Sequence, residues 1–135
     1  MTVTLQRTPD THLAQTLHWG EHSLVADVLV DEGGNDLGPS PHDLYDAALA
    51  SCKALTVMWY ANKKGIPVQD IRTTVTHDNS EERKGTYRLT ASLQIVGDLS
   101  DAQLAELTAV AEKCPVHKLM TTVSTEITTH VQRAV

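Results

Sequence analysis

Cys52 and Cys114 are the two cysteines of this 135-residue chain, and chemistry could start at either. A buried thiol usually packs as a small hydrophobe and becomes reactive only where its surroundings favour the thiolate. Cys114 stands in Glu-Lys-Cys-Pro-Val-His, immediately before a proline able to open a helical turn. That turn would aim free N–H groups at the sulfur, and His117 and Lys118 would add positive charge nearby. The competing reading is that Cys114 only ends the apolar stripe of its helix. Cys52 lies mid-helix among Leu and Ala, where packing is the simpler reading. Yet both cysteines fall on the inward faces of two long predicted helices, and two such stripes can bring thiols within disulfide distance. Cys114 and His117 also have metal-ligand spacing, but no second pair completes a tetrahedral set. Neither metal nor cofactor is therefore expected. A thioredoxin-type site is excluded as well, because there is no Cys-x-x-Cys.

The elements that must carry these thiols follow from pattern and punctuation. Leu13, Gln15, Leu17, Trp19 and then Leu24, Ala26, Val28, Val30 alternate as strands do, with Trp-Gly-Glu-His turning between them. The run Asp-Glu-Gly-Gly-Asn-Asp-Leu-Gly-Pro-Ser-Pro has too much Gly and Pro to be anything but a loop. Ser40 then caps a helix, Pro41 suits its first position and Asp43 completes a variant capping box. This helix runs to about Lys64, where Gly65 and Pro67 stop it, a length of roughly 35 Å. Leu44, Ala48, Cys52, Leu55, Trp59 form one apolar stripe along it, and Tyr45, Leu49, Thr56, Tyr60 a second. A helix apolar over most of its circumference is central and needs cover on several sides.

Ile71, Thr73, Val75, His77 and Tyr87, Leu89, Ala91, Leu93, Ile95 read as a hairpin around a charged turn. Ser100 with Gln103 is a capping box opening a second helix, with Leu99 and Leu104 as a hydrophobic staple. Its expected inner face is Leu104, Leu107, Ala111, Cys114. A helical turn Pro115–Met120 follows, and Val123, Thr125, Ile127, Thr129, Val131 alternate as a closing strand. The expectation is a single α+β domain over residues 1–135, with largely antiparallel strands. One sheet and one other long helix cannot cover the central helix all round, so a homodimer pairing two such helices is expected.

Composition narrows the partners. A net charge of −6 offers no basic field for nucleic acid or a membrane surface. Charged residues interrupt every apolar run, so no membrane span is expected. The first fifteen residues have no apolar segment or small-residue cleavage site, so no secretory signal is read there. The expected location is the cytoplasm, where a permanent structural disulfide is unusual.

Gly-Pro-Ser-Pro-His-Asp-Leu-Tyr-Asp-Ala-Ala-Leu-Ala-Ser-Cys, followed later by Ala-Glu-Lys-Cys-Pro-Val-His-Lys, resembles the OsmC/Ohr family of cysteine-dependent hydroperoxide reductases, most closely its OsmC-like branch. The resemblance runs from Leu37 to the C-terminus and includes the order of strands and helices. It implies an OsmC-like fold, with antiparallel sheets packed around the long cysteine-bearing helix, in an intertwined homodimer with active sites at the subunit interface. Cys52 matches the peroxidatic cysteine, which attacks an organic hydroperoxide, and on the same chemistry hydrogen peroxide, to become a sulfenic acid. Cys114 matches the resolving cysteine that condenses with it to a disulfide. A dithiol or a lipoylated protein would then reduce that disulfide, in defence against oxidative stress. Where the peroxidases carry a glutamate orienting an arginine, this chain has His42, with Asp43 beside it. His42, Asp43 and His117 are thus the candidates for support. His42 precedes Cys52 by about 15 Å of helix, so any influence must run through a bridging group. Upstream of the helix, Arg7 is the one arginine, and it lies in no matching motif. Two other readings stay open: a non-enzymatic redox-sensing or small-molecule-binding protein of the same fold, and a structural dimer with inert thiols.

Overall fold

The computed structural model describes residues 1–134. Its elements are β1 (Thr4–Arg7), β2 (Gln15–Trp19), β3 (His22–Ala26), α1 (Pro41–Lys64), β4 (Val68–Asp78), β5 (Arg88–Gly97), α2 (Asp101–Glu112) and α3 (Pro115–Thr121). The fold is α+β, with antiparallel sheets and three α-helices. β1, β2 and β3 form an antiparallel sheet in that order, with Leu5 opposite Leu17 and Leu17 opposite Leu24. β4 and β5 form a second sheet of two strands.

The described chain divides into two compact units, residues 1–48 with 75–90 and residues 49–74 with 91–134. In the first, β3 is followed at once by Asp27, whose buried carboxylate organises the Gly-rich loop. It accepts the backbone N–H groups of Val28 (2.8 Å), Asn35 (3.0 Å) and Leu37 (3.2 Å). Burial works against the charge, but these three donors together hold the Asp27 carboxyl below its ordinary range. The loop also passes so close to β3 that a Cβ at Gly38 would land on the Val25 carbonyl oxygen, which only glycine permits. The loop delivers the chain to Ser40, where Ser40 N–H donates to Asp43 and Asp43 N–H to Ser40 Oγ, the reciprocal cap expected for α1.

In the second unit, Val57, Ala61, Ile66 and Leu107 are the buried centre of the core. Tyr60, Val68, Ile71, Leu93, Ile95, Leu99, Val110 and Ala111 pack against them. α1 stops where Gly65 turns left-handed (φ 70°) and Ile66 N–H reaches back to Ala61. α2 opens on the expected Ser100–Gln103 box.

Three expectations need correction. The buried stripe of α1 is Leu49, Lys53, Val57, Ala61, not the neighbouring stripe through Cys52, and Leu55 and Trp59 are exposed. Leu104 is exposed too, so α2 buries Leu107 and leads to the buried Cys114. The closing strand does not form: residues 124–134 are irregular and exposed despite their alternation, and no strand edge pairs with them among the described residues. Strand order therefore begins with three strands and ends with two helices.

Candidate functional site

The second unit brings Cys52, Cys114 and His117 together. α1 presents Cys52 half-buried, with Thr56 Oγ1 one turn on at 3.9 Å from its sulfur. α2 gives out after Glu112, and Cys114 becomes the N-cap of α3 with Pro115 in the first turn. The first turn of α3 has N–H groups without helical acceptors, and sulfur atoms take two of them. Val116 N–H donates to Cys52 Sγ at 3.5 Å, and His117 N–H donates to Cys114 Sγ at 3.4 Å. One helical turn thus addresses both thiols.

The electrostatics differ from the local reading of the sequence. Cys114 is fully buried, and burial pushes its thiol above the ordinary range. The His117 N–H pulls the other way, the neighbouring Cys52 side chain pushes up again, and the positive charge of Lys53 pulls down. The capping N–H expected from Cys-Pro is present, but desolvation outweighs it.

Lys53 is the residue that sequence reasoning missed here. Its side chain is 5% exposed, and its ammonium donates to Ala111 O at 2.8 Å and lies 3.0 Å from His117 Nδ1. That geometry makes Nδ1 the acceptor and leaves the ring proton on Nε2. A signal was available: Lys53 interrupts a four-residue spacing of apolar positions, Leu49, Val57 and Ala61, on one helix face.

His42 and Asp43 belong to the other unit and make their contacts there. Asp43 is occupied in the cap of α1, whose N–H and hydroxyl hold its carboxyl below the ordinary range. His42 Nε2 lies 2.6 Å from Glu82 Oε1, on the short turn between β4 and β5. This hydrogen bond and the negative charge of Glu82 raise the His42 pKa. Beside it, Asp46 accepts from Tyr87 Oη and from His77 Nδ1, both at 2.6 Å. Burial, and then the bond to Asp46, push the Tyr87 hydroxyl far up. Pro41, His42, Tyr45, Glu82 and Tyr87 line a cavity of about 350 Å³. His77, a position of the β4 alternation, is thus tied into a polar cluster. Arg7 stays on the exposed end of β1, bonded to Thr11 O.

Among the described residues no group of three or more His, Cys, Asp or Glu is placed to hold a metal ion. No described helix is long and apolar enough to cross a membrane.

The model of the family described as OsmC-like protein matches residues 33–130, a span that includes both cysteines and the helices that carry them. The chain belongs to the OsmC-like family. A search among curated proteins finds no match. Among solved structures, an OsmC-like protein from Mycoplasma pneumoniae superposes with a TM-score of 0.71 at 20% identity, covering 90% of this chain and 87% of that one. An organic hydroperoxide resistance protein OsmC from Legionella pneumophila gives 0.65 at 20%, covering 90% of each chain. The organic hydroperoxide resistance protein OhrB of Bacillus subtilis gives 0.58 at 21%, covering 90% of this chain and 92% of that one. At these identities the likeness is one of fold.

Proposed function

We propose that this chain is a thiol peroxidase that reduces organic hydroperoxides, and hydrogen peroxide by the same route, in a peroxide or stress response. The observation that carries the reading is the meeting of two reduced cysteines at one helical turn, in a member of this family. The names of the Legionella and Bacillus proteins support it, since both are organic hydroperoxide resistance proteins.

In this mechanism the Cys52 thiolate attacks the terminal peroxide oxygen. The S–O bond forms as the O–O bond breaks, the alkoxide takes a proton and leaves as alcohol, and Cys52 becomes a sulfenic acid. Val116 N–H stabilises charge on the Cys52 sulfur before attack. Cys114 then attacks the sulfenic sulfur, the S–O bond breaks, and hydroxide leaves as water once protonated. A dithiol or a lipoylated protein reduces the Cys52–Cys114 disulfide by exchange and is itself oxidised to a disulfide. The whole chain acts as one domain, assembled as a homodimer in a compartment that keeps thiols reduced.

The test is peroxide consumption by the purified reduced protein with tert-butyl hydroperoxide and a dithiol. Cys52→Ser abolishes turnover, whereas Cys114→Ser allows one turnover that stalls at the sulfenic acid. Full activity in the Cys52→Ser protein sinks the reading. The pairing of His42 with Glu82, rather than with an arginine, favours one alternative: a redox sensor that forms the disulfide without efficient turnover. Steady-state rates no faster than the free dithiol would select it.

A further inference from the structure

Lys53 poses a problem of charge. Its side chain is buried in the stripe that α1 turns towards the core, yet no carboxylate pairs with it among the described residues. Its partners are a carbonyl oxygen and an imidazole nitrogen, both neutral acceptors. A buried cation without a counter-ion is costly and persists where something compensates it. Ala111 O is one of the last carbonyls of α2, so part of the compensation is the negative end of that helix. This is a packing role, and it accounts for one bond.

The second bond leads elsewhere. Lys53 Nζ meets His117 Nδ1, and the backbone N–H of the same His117 donates to Cys114 Sγ. Lys53 therefore holds the residue that holds the buried thiol. Cys114 has no water to stabilise a thiolate, since its side chain is fully buried. The anion that Lys53 lacks and the cation that a Cys114 thiolate would need stand on the two sides of one histidine.

We propose that Lys53 is the positioning residue of the resolving thiol: its buried charge and its bond to His117 hold the first turn of α3 on Cys114 and make the Cys114 thiolate available to attack an oxidised Cys52. This rests on the reading of the cysteine pair as redox-active. Lys53 supplies charge and orientation and transfers no atom. In the step itself the Cys114 thiolate forms the S–S bond, the S–O bond of the Cys52 sulfenic acid breaks, and hydroxide leaves to become water. Burial bears most on Cys114 and opposes the thiolate, as does Cys52 from α1, whereas the backbone N–H of His117 from α3 and the positive charge of Lys53 from α1 favour it. The arginine that the sequence failed to offer is thus answered in part by a lysine adjacent to Cys52 in the chain. Its target is the second cysteine instead of the first.

The experiment separates this role from packing. In a Cys52→Ser protein, where Cys114 is the one thiol, ultraviolet thiolate absorbance is followed against pH. The expected result is an upward shift of the Cys114 midpoint by about one pH unit or more in Lys53→Met and in Lys53→Gln, about tenfold less thiolate at a given pH below it. Lys53→Arg restores the midpoint to within a few tenths of a unit, which a merely structural role would not require. Gln keeps a donor for Ala111 O, so it tests the charge even where Met disturbs the fold, and circular dichroism establishes folding for each variant. With Cys52 restored, one equivalent of tert-butyl hydroperoxide is added to Lys53→Gln, and the decay of the Cys52 sulfenic acid is followed separately from its formation. Disulfide formation is then about tenfold slower, and the lingering sulfenic acid is captured by dimedone. An unchanged midpoint in folded Lys53→Gln overturns the proposal. A shifted midpoint in a protein inert to peroxide would leave Lys53 in its role and remove the peroxidase reading. Normal turnover with an unmoved midpoint would do the reverse.

Discussion

His42 shows how one substituted position changes local chemistry. Its bond to Glu82 raises its pKa, so folding binds a proton more tightly than the unfolded chain does. The sign follows: the stabilisation is fully present below the unfolded value of 6.5 and is lost as pH rises through the higher folded value. Melting temperatures of the wild type and Glu82→Gln should therefore differ most near about pH 6 and converge as pH rises past the raised folded value of His42. A difference that grows with pH would contradict the pairing. Neither this pair nor the Asp46–His77–Tyr87 cluster was legible in the sequence. Each joins α1 to the β4–β5 hairpin, and long-range partners leave no local pattern. Asp27 is hidden for a related reason, because its three donors come from a loop that reads only as Gly and Pro. Cys52 and Cys114 were legible because thiols are rare and their flanking residues specific. Lys53 was overlooked because hydropathy favoured a stripe one position away, where the apolar residues were larger.

Elements were legible wherever their determinants are local. Both capping boxes, the Gly65 stop and the proline opening of α3 appear as the spacing predicts, since a cap needs only residues within one turn. Faces were read less well, because a helix with apolar residues all round gives periodicity no single answer. The alternation from Val123 to Val131 shows the limit in the other direction: pattern describes a strand, but an edge must be present to receive it. Two substitutions separate these contributions. Ser100→Ala removes the side-chain acceptor of Gln103 N–H and should cost about 1 kcal/mol. Leu107→Ala empties a fully buried position in the core and should cost about 2–5 kcal/mol, by chemical denaturation with an unchanged slope. Equal costs would mean that α2 is held by its end rather than by its face.

At the scale of the molecule, large apolar side chains lie exposed on α1 and on the closing segment. Leu55 and Trp59, one turn apart on α1, are 69% and 62% exposed, and Ile127 and Val131 project from a segment with no strand partner of its own. The expectation of a dimer arose from a helix too apolar for the cover available. The face left uncovered turned out to be the one through Leu55 and Trp59. Large apolar side chains on a rigid helix are the usual energetic centre of an interface, and truncating one costs about 2 kcal/mol or more, roughly thirtyfold in dissociation constant. Sedimentation velocity at micromolar concentration should therefore give a dimer for the wild type. Trp59→Glu should weaken it by at least that factor, whereas the exposed Lys84→Glu on the hairpin turn should leave it unchanged. The unpaired strand pattern adds a second readout, since a chain edge supplied by another copy would protect the amides of residues 123–131 from hydrogen exchange. Protection that disappears in Trp59→Glu, together with the dimer, ties the closing segment to assembly. A wild-type protein that sediments as a monomer across the micromolar range would remove the dimer and leave the active-site reading to stand on one chain alone.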